Sequence, residues 1–142
     1  MATIRDTEDQ RRTDRLEEIA KVLRSRMRKE EIPAVRWHMS KMVRGWGEVS
    51  QAGVTVRVGF DWEREGYNRA QERAARKRGR DYRWQFPSAI RLEIGYSHRA
   101  TEQTQARVYA WHDRVVAIAK EIEPSLVASQ HGSELTLPRE ES

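Results

Sequence analysis

Four arginines, Arg69, Arg73, Arg76 and Arg80, recur at spacings of 4, 3 and 4, so on a helix they share one face. A guanidinium presents planar, paired donors that match phosphates and carboxylates, so the chemistry implied is capture of an anion rather than bond-breaking. Lys77, Arg78 and Arg83 thicken the same stretch. Residues 64–83 carry eight basic side chains against three acidic ones, Glu65, Glu72 and Asp81, while the remaining chain holds nineteen of each sign. The whole net charge of +5 therefore sits in this one stretch. A field so localised attracts polyanions or acidic protein surfaces. Two plainer readings fit the same composition: a solvated helix kept soluble by charge, or an arm paired with a neighbour's acids.

Aromatic rings flank the basic stretch. Phe60, Trp62, Tyr82, Trp84 and Phe86 cluster, by strand parity, where two strands meet it. Trp62, Tyr82 and Trp84 could serve as stacking platforms for single-stranded nucleic acid beside the arginines. The alternative is that these rings fill a core beneath helices. Other chemistry has little to work with. His38, His98, His112 and His131 are scattered, with no i,i+4 pair and no cysteine companion, so a zinc site lacks support. His112 reads as a helix-flank histidine making a local hydrogen bond. Asp61, Glu63 and Glu93 could converge as carboxylate metal ligands, but nothing in their spacing requires it. The Gly45-Trp46-Gly47 fragment is not a phosphate-binding loop, and no nucleophile motif occurs. The expectation is a non-enzyme with no metal and no cofactor.

The elements that must position these residues follow from apolar periodicity. Val54, Val56, Val58, Phe60 and Trp62 occupy alternate positions, and Tyr82, Trp84, Phe86, Ile90, Leu92, Ile94 and Tyr96 repeat the pattern. A period of two makes both segments strands, 54–62 and 82–96, expected to pair antiparallel and to hold 63–81 out as a basic arm. Good helix formers from Ala70 to Arg76, stopping near Gly79, favour a helical arm, although a disordered loop fits the composition too. Residues 7–30 read as a helix, with Thr7 and Gln10 at capping-box spacing and Leu16, Ile19, Ala20, Leu23 and Met27 as its apolar stripe. No stripe precedes Leu16, so the first turns are expected to extend beyond the body or fray. Residues 34–46 match two patterns: Val35, Trp37 and Met39 alternate as in a strand, and Val35, Met39, Met42, Val43 and Trp46 share a helical face. A strand over 34–40 pairing antiparallel with 54–62 is favoured, with a further short strand near 47–50. Residues 102–122 form the clearest helix. Thr101 is its N-cap, Val108, Trp111, Val115, Ile118, Ala119 and Ile122 its stripe, and Pro124 its end.

At 142 residues, 37% apolar and 35% charged, the chain fits one domain with a lean core. The expected fold is α+β over 1–124: an antiparallel meander with a long hairpin, and two helices packed on one face. Residues 125–142 read as a polar tail, in which Leu135 and Leu137 could make an edge strand. Lack of cysteine excludes disulfides and thiolate metal sites, and no apolar run approaches the ~20 residues of a membrane span. A soluble intracellular protein with no membrane partner is expected.

The alternating strand Ala89-Ile90-Arg91-Leu92-Glu93-Ile94, leading into a helix with Val108, Trp111, Val115 and Ile118, resembles bacteriophage tail-terminator and tail-completion proteins in its order of elements. Ser88–Glu123 carries the resemblance. It implies a non-catalytic, homo-oligomeric ring subunit of a phage tail or neck, incorporated into a virion. Its partners would be copies of itself or neighbouring assembly proteins, with the basic arm meeting the next subunit's acids or facing DNA. The alternative is a nucleic-acid-binding module whose Arg69, Arg73 and Arg76 contact DNA or RNA phosphates. A third reading is a small inhibitor presenting the arm to an acidic or nucleic-acid-binding enzyme.

Overall fold

The computed structural model describes residues 2–32, 34–36, 55–59, 63–96 and 99–139. Its elements are β1 (Thr3–Ile4), α1 (Thr7–Lys29), β2 (Ala34–Arg36), β3 (Thr55–Gly59), α2 (Glu63–Lys77), β4 (Tyr82–Arg83), β5 (Ile90–Gly95), α3 (Glu102–Ile122), β6 (Val127–Ala128) and β7 (Glu134–Thr136). They form a mixed α+β fold with one sheet ordered β2-β3-β5-β7-β6 and a separate two-stranded sheet of β1 and β4.

The central strand pair follows the alternation. β3 and β5 run antiparallel with Val56 opposite Ile94 and Val58 opposite Leu92, and Val56, Val58, Ile90 and Leu92 are buried. Leu16, Ile19, Leu23 and Met27 of α1 and Val108, Val115 and Ile118 of α3 join them in one cluster with Leu135 of β7. Each large aliphatic side chain removed from water contributes roughly 1.5–3 kcal/mol, so this cluster carries most of the fold's stability. Trp111 and Ile122 pack against it half-buried. Thr101 caps α3 by accepting from the Thr104 amide at 3.1 Å.

Asp6, not Thr7, caps α1: its carboxylate accepts from the Asp9 amide at 2.9 Å. The first turns are tied down rather than frayed. Arg12 donates to the Leu137 carbonyl at 3.1 Å and Thr13 to the Pro87 carbonyl at 2.6 Å, so polar anchors replace the missing apolar stripe. α1 ends with Ile32 N–H donating to the Met27 carbonyl at 2.9 Å, a turn that forces Glu31 to φ 58°.

Other expectations change. β2 joins β3 parallel, with Ala34 opposite Val56, rather than antiparallel. A parallel neighbour requires the chain to return to the same end of the sheet, and the stretch between these strands is long enough for that. The strand expected near 47–50 lies outside the described residues. The strand expected over 82–96 is two strands: β4 pairs parallel with β1, and β5 begins only at Ile90. Pro87 lies between them; it lacks the N–H that a ladder needs and fixes its own φ, so the chain leaves one sheet there and enters another. The strand foreseen at Leu135 forms, between β5 and β6 rather than at an edge, so the segment read as a tail folds back. β7 pairs antiparallel with β5 and buries Leu135 completely, because Leu135 fills the sheet face beside Ile90.

Candidate nucleic-acid interface

Among the described residues α2 gives no apolar side chain to the core; its buried residue is Asn68, 1% exposed. A helix that puts no apolar face into the core needs some other anchor. Asn68 supplies it. Its amide donates to the Gln85 carbonyl at 2.7 Å, while its Oδ1 accepts from the Gln85 N–H at 2.8 Å and from the Tyr82 hydroxyl at 2.6 Å. Burial first, then the neighbouring Tyr67, raise the pKa of Tyr82 and keep that hydroxyl a donor. Arg64 donates to the Gln85 side chain at 2.6 Å. From the other side, Thr3 donates to Glu72, and the Tyr82 and Trp84 amides donate to the Ala2 and Ile4 carbonyls at 3.0 and 2.8 Å. α2, β4 and β1 thus form a polar unit beside the core rather than within it.

This anchoring fixes which side of α2 meets water. At about 100° per residue, Asn68, Glu72 and Ala75 point inward, and Arg69, Arg73, Arg76 and Lys77 fall on the flank and pole away from them. Arg69 pairs with Glu65 at 2.6 Å and Arg76 with Glu72 at 3.6 Å. The exposed Arg69–Glu65 pair contributes about 0–1 kcal/mol and exchanges readily for a stronger anion, whereas Glu72 is largely buried and also holds Thr3. The side chains of Arg73, Lys77, Arg78, Arg80 and Arg83 are exposed and make no hydrogen bond or ion pair among the described residues. Gly79 carries the chain from α2 into β4. Its φ of 68° allows the Arg80 and Gly79 amides to donate back to the Ala75 and Arg76 carbonyls at 2.9 and 3.2 Å, closing the helix as expected. Arg78 and Arg80 therefore sit in the turn that closes the helix, one on either side of Gly79.

The aromatic candidates serve the arm itself. Tyr82 spends its hydroxyl on Asn68, and the Arg5 guanidinium lies 4.1 Å from the centre of the Trp84 ring. Phe86 is half-buried, and Phe60 and Trp62 lie outside the described residues. The exposed ring of this unit is Tyr67, at 45%. His112 is buried and bonds the Gly132 carbonyl at 3.0 Å, a tertiary contact rather than a local one. His38, His98 and Asp61 are outside the described residues, and Glu93 stands opposite Arg57 across the β3–β5 ladder. No group of three or more metal-ligating side chains occurs among the described residues. A cleft of ≈ 170 Å³ between Arg64, Pro87, Arg91 and Glu134 is smaller than the ~300 Å³ at which ligand pockets begin. No described helix is long and apolar enough to cross a membrane.

Comparison of the chain with protein-family models, curated proteins and solved structures finds no match in any of the three. The local chemistry therefore carries the argument. The cations are legible in the sequence; Asn68, Thr3 and Arg5, the residues that hold their surroundings in place, are not. An asparagine in a polar helix and a polar N-terminus give no periodic signal, so packing alone reveals these roles.

Proposed function

We propose that this chain is a non-catalytic binding subunit that holds nucleic acid by its phosphates on the exposed side of α2 and the turn after it. The observation that carries the reading is the run Arg73–Arg83, in which six cations accompany one carboxylate, Asp81. Asp81 already accepts from the Ala2 amide at 2.8 Å. Five of the six cations, all but Arg76, have side chains without an ion pair among the described residues. A run of such cations without an apolar centre suits phosphate oxygens better than another protein, because protein interfaces keep aromatic and apolar groups at their centre. Each phosphate neutralised releases condensed counterions, so binding should weaken steeply with salt. Fluorescence anisotropy of a labelled oligonucleotide across a salt series tests this. The variant Arg73→Ala/Lys77→Ala/Arg80→Ala should flatten the slope of log K against log salt by about 2–3. A wild-type slope in the variant contradicts the reading.

A separate observation favours a second reading. Tyr67, Ala70 and Ala74 make another exposed strip on α2, away from Arg69 and Arg76. A ring between small residues is a suitable centre for a protein contact. On this reading the passage β3–α2–β4–β5 is the elaborated long hairpin of a meander, laid on a neighbouring copy in a ring of tail-terminator type within a virion. Light scattering without nucleic acid tests it. A discrete oligomer that dissociates on Ala74→Arg supports assembly, and a monomer at every concentration contradicts it.

A further inference from the structure

Resting on the reading of α2 as a phosphate-binding element, we propose that its ligand is B-form duplex DNA, with α2 seated in the major groove. Single-stranded binding draws on rings that stack on bases beside the cations. Here the described rings nearest the cations are committed: Tyr82 to Asn68, and Trp84 to the Arg5 guanidinium over its face. Tyr67 is exposed but projects from the flank of α2 away from Arg69 and Arg76. Tyr67 lies instead beside Arg64, whose guanidinium is 5.7 Å from its ring centre. Among the described residues, Arg69, Arg73, Arg76 and Lys77 therefore have no free ring beside them, which suits a duplex whose bases are already stacked.

The shape of α2 selects among duplexes. It has 15 residues, a length of about 22 Å, and is anchored along one side only. Opposite Asn68, the outward pole is Gly66, Ala70, Arg73 and Lys77, so two of its four positions lack a long side chain. Around Gly66 the space is open: a Cβ built there meets no atom within 4 Å. A slim helix with cations at its pole fits the major groove of B-DNA, about 12 Å wide, whereas the A-form groove of duplex RNA is too narrow to admit it. Arg78 and Arg80, turned back by Gly79, then lie at the groove edge where phosphates run.

Competition anisotropy with the full chain tests this. A labelled mixed-sequence DNA duplex is displaced by unlabelled duplex DNA, by either of its single strands, or by duplex RNA of the same sequence. Duplex DNA should compete at least about tenfold better than either alternative at matched salt, and Tyr67→Ala should change its affinity by less than about threefold. Single strands or duplex RNA competing equally would overturn the groove assignment; if Arg73→Ala/Lys77→Ala/Arg80→Ala still flattened the salt slope, the phosphate-binding reading would stand. Failure of every nucleic acid to bind at low salt would overturn both.

Discussion

Asn68 holds both backbone polar groups of Gln85, donating to its carbonyl at 2.7 Å and accepting from its N–H at 2.8 Å. One side chain thereby does for α2 what an apolar stripe does for α1 and α3. The fold therefore has two kinds of glue: hydrocarbon in the body, hydrogen bonds in the arm.

Asn68→Ala should loosen the arm and spare the body. It leaves the Gln85 N–H and carbonyl and the Tyr82 hydroxyl without a partner, which costs about 2–4 kcal/mol. Hydrogen exchange checks this: amides of α2 and β4 should exchange faster while those of α1 and α3 stay protected. Uniform loss of protection would mean that arm and body unfold as one unit.

Glu31 occupies a left-handed conformation, φ 58°, at the end of α1, where Glu30 and Glu31 turn the chain toward buried Ile32. Glu31→Gly should stabilise the protein by about 0.5–1 kcal/mol, because relief of side-chain strain exceeds the added unfolded-state entropy. Gly79→Ala should cost about 1 kcal/mol for the opposite reason. Urea denaturation measures both.

Gly132 has φ 68°, and a Cβ there would sit 2.7 Å from Cε1 of buried His112. Gly132→Ala must therefore displace the imidazole from its bond to the Gly132 carbonyl. A loss of about 1–3 kcal/mol is expected, read from the chemical-denaturation midpoint.

Arg114 donates to both Glu30 oxygens at 2.7 and 3.0 Å, and Arg26 donates to Glu121 at 2.7 Å, joining α1 to α3. The bond from Arg114 lowers the pKa of Glu30, and the bond from Arg26 lowers that of Glu121. A carboxylate with a lowered folded pKa stabilises fully above its unfolded value, about 4.3, and loses that contribution as pH falls through the folded value. The groups are exposed, so the effect is modest and salt-sensitive. Arg114→Gln should lower the melting temperature at about pH 7, and the difference from wild type should shrink toward about pH 3. A gap constant across that range would contradict the linkage.

What could be read from the sequence was whatever burial makes periodic. Val56, Val58, Ile90 and Leu92 alternate because one sheet face is dry, and Leu16 to Met27 recur at helical spacing for the same reason. The charge of α2 and its stop at Gly79 were also legible, since both are local. The β1–β4 sheet was not, because Thr3 and Ile4 are joined to Tyr82 and Arg83 by backbone bonds that any residues could make. The split of the 82–96 segment was foreseeable in Pro87, yet unbroken alternation on either side outweighed it. The direction of β2 depends on where the chain returns, which no pattern within 34–36 encodes.

A DNA seat on α2 requires that the position of the cations matter more than total charge, and a matched pair of charge reversals separates the two. Arg73→Glu/Lys77→Glu alters α2, and Arg107→Glu/Lys120→Glu makes the same change in net charge on exposed positions of α3. Affinity for duplex DNA at fixed salt should fall by about a hundredfold or more for the α2 pair and by no more than about fivefold for the α3 pair. Equal losses from the two would mean that DNA responds to the overall field, and that α2 is not its seat.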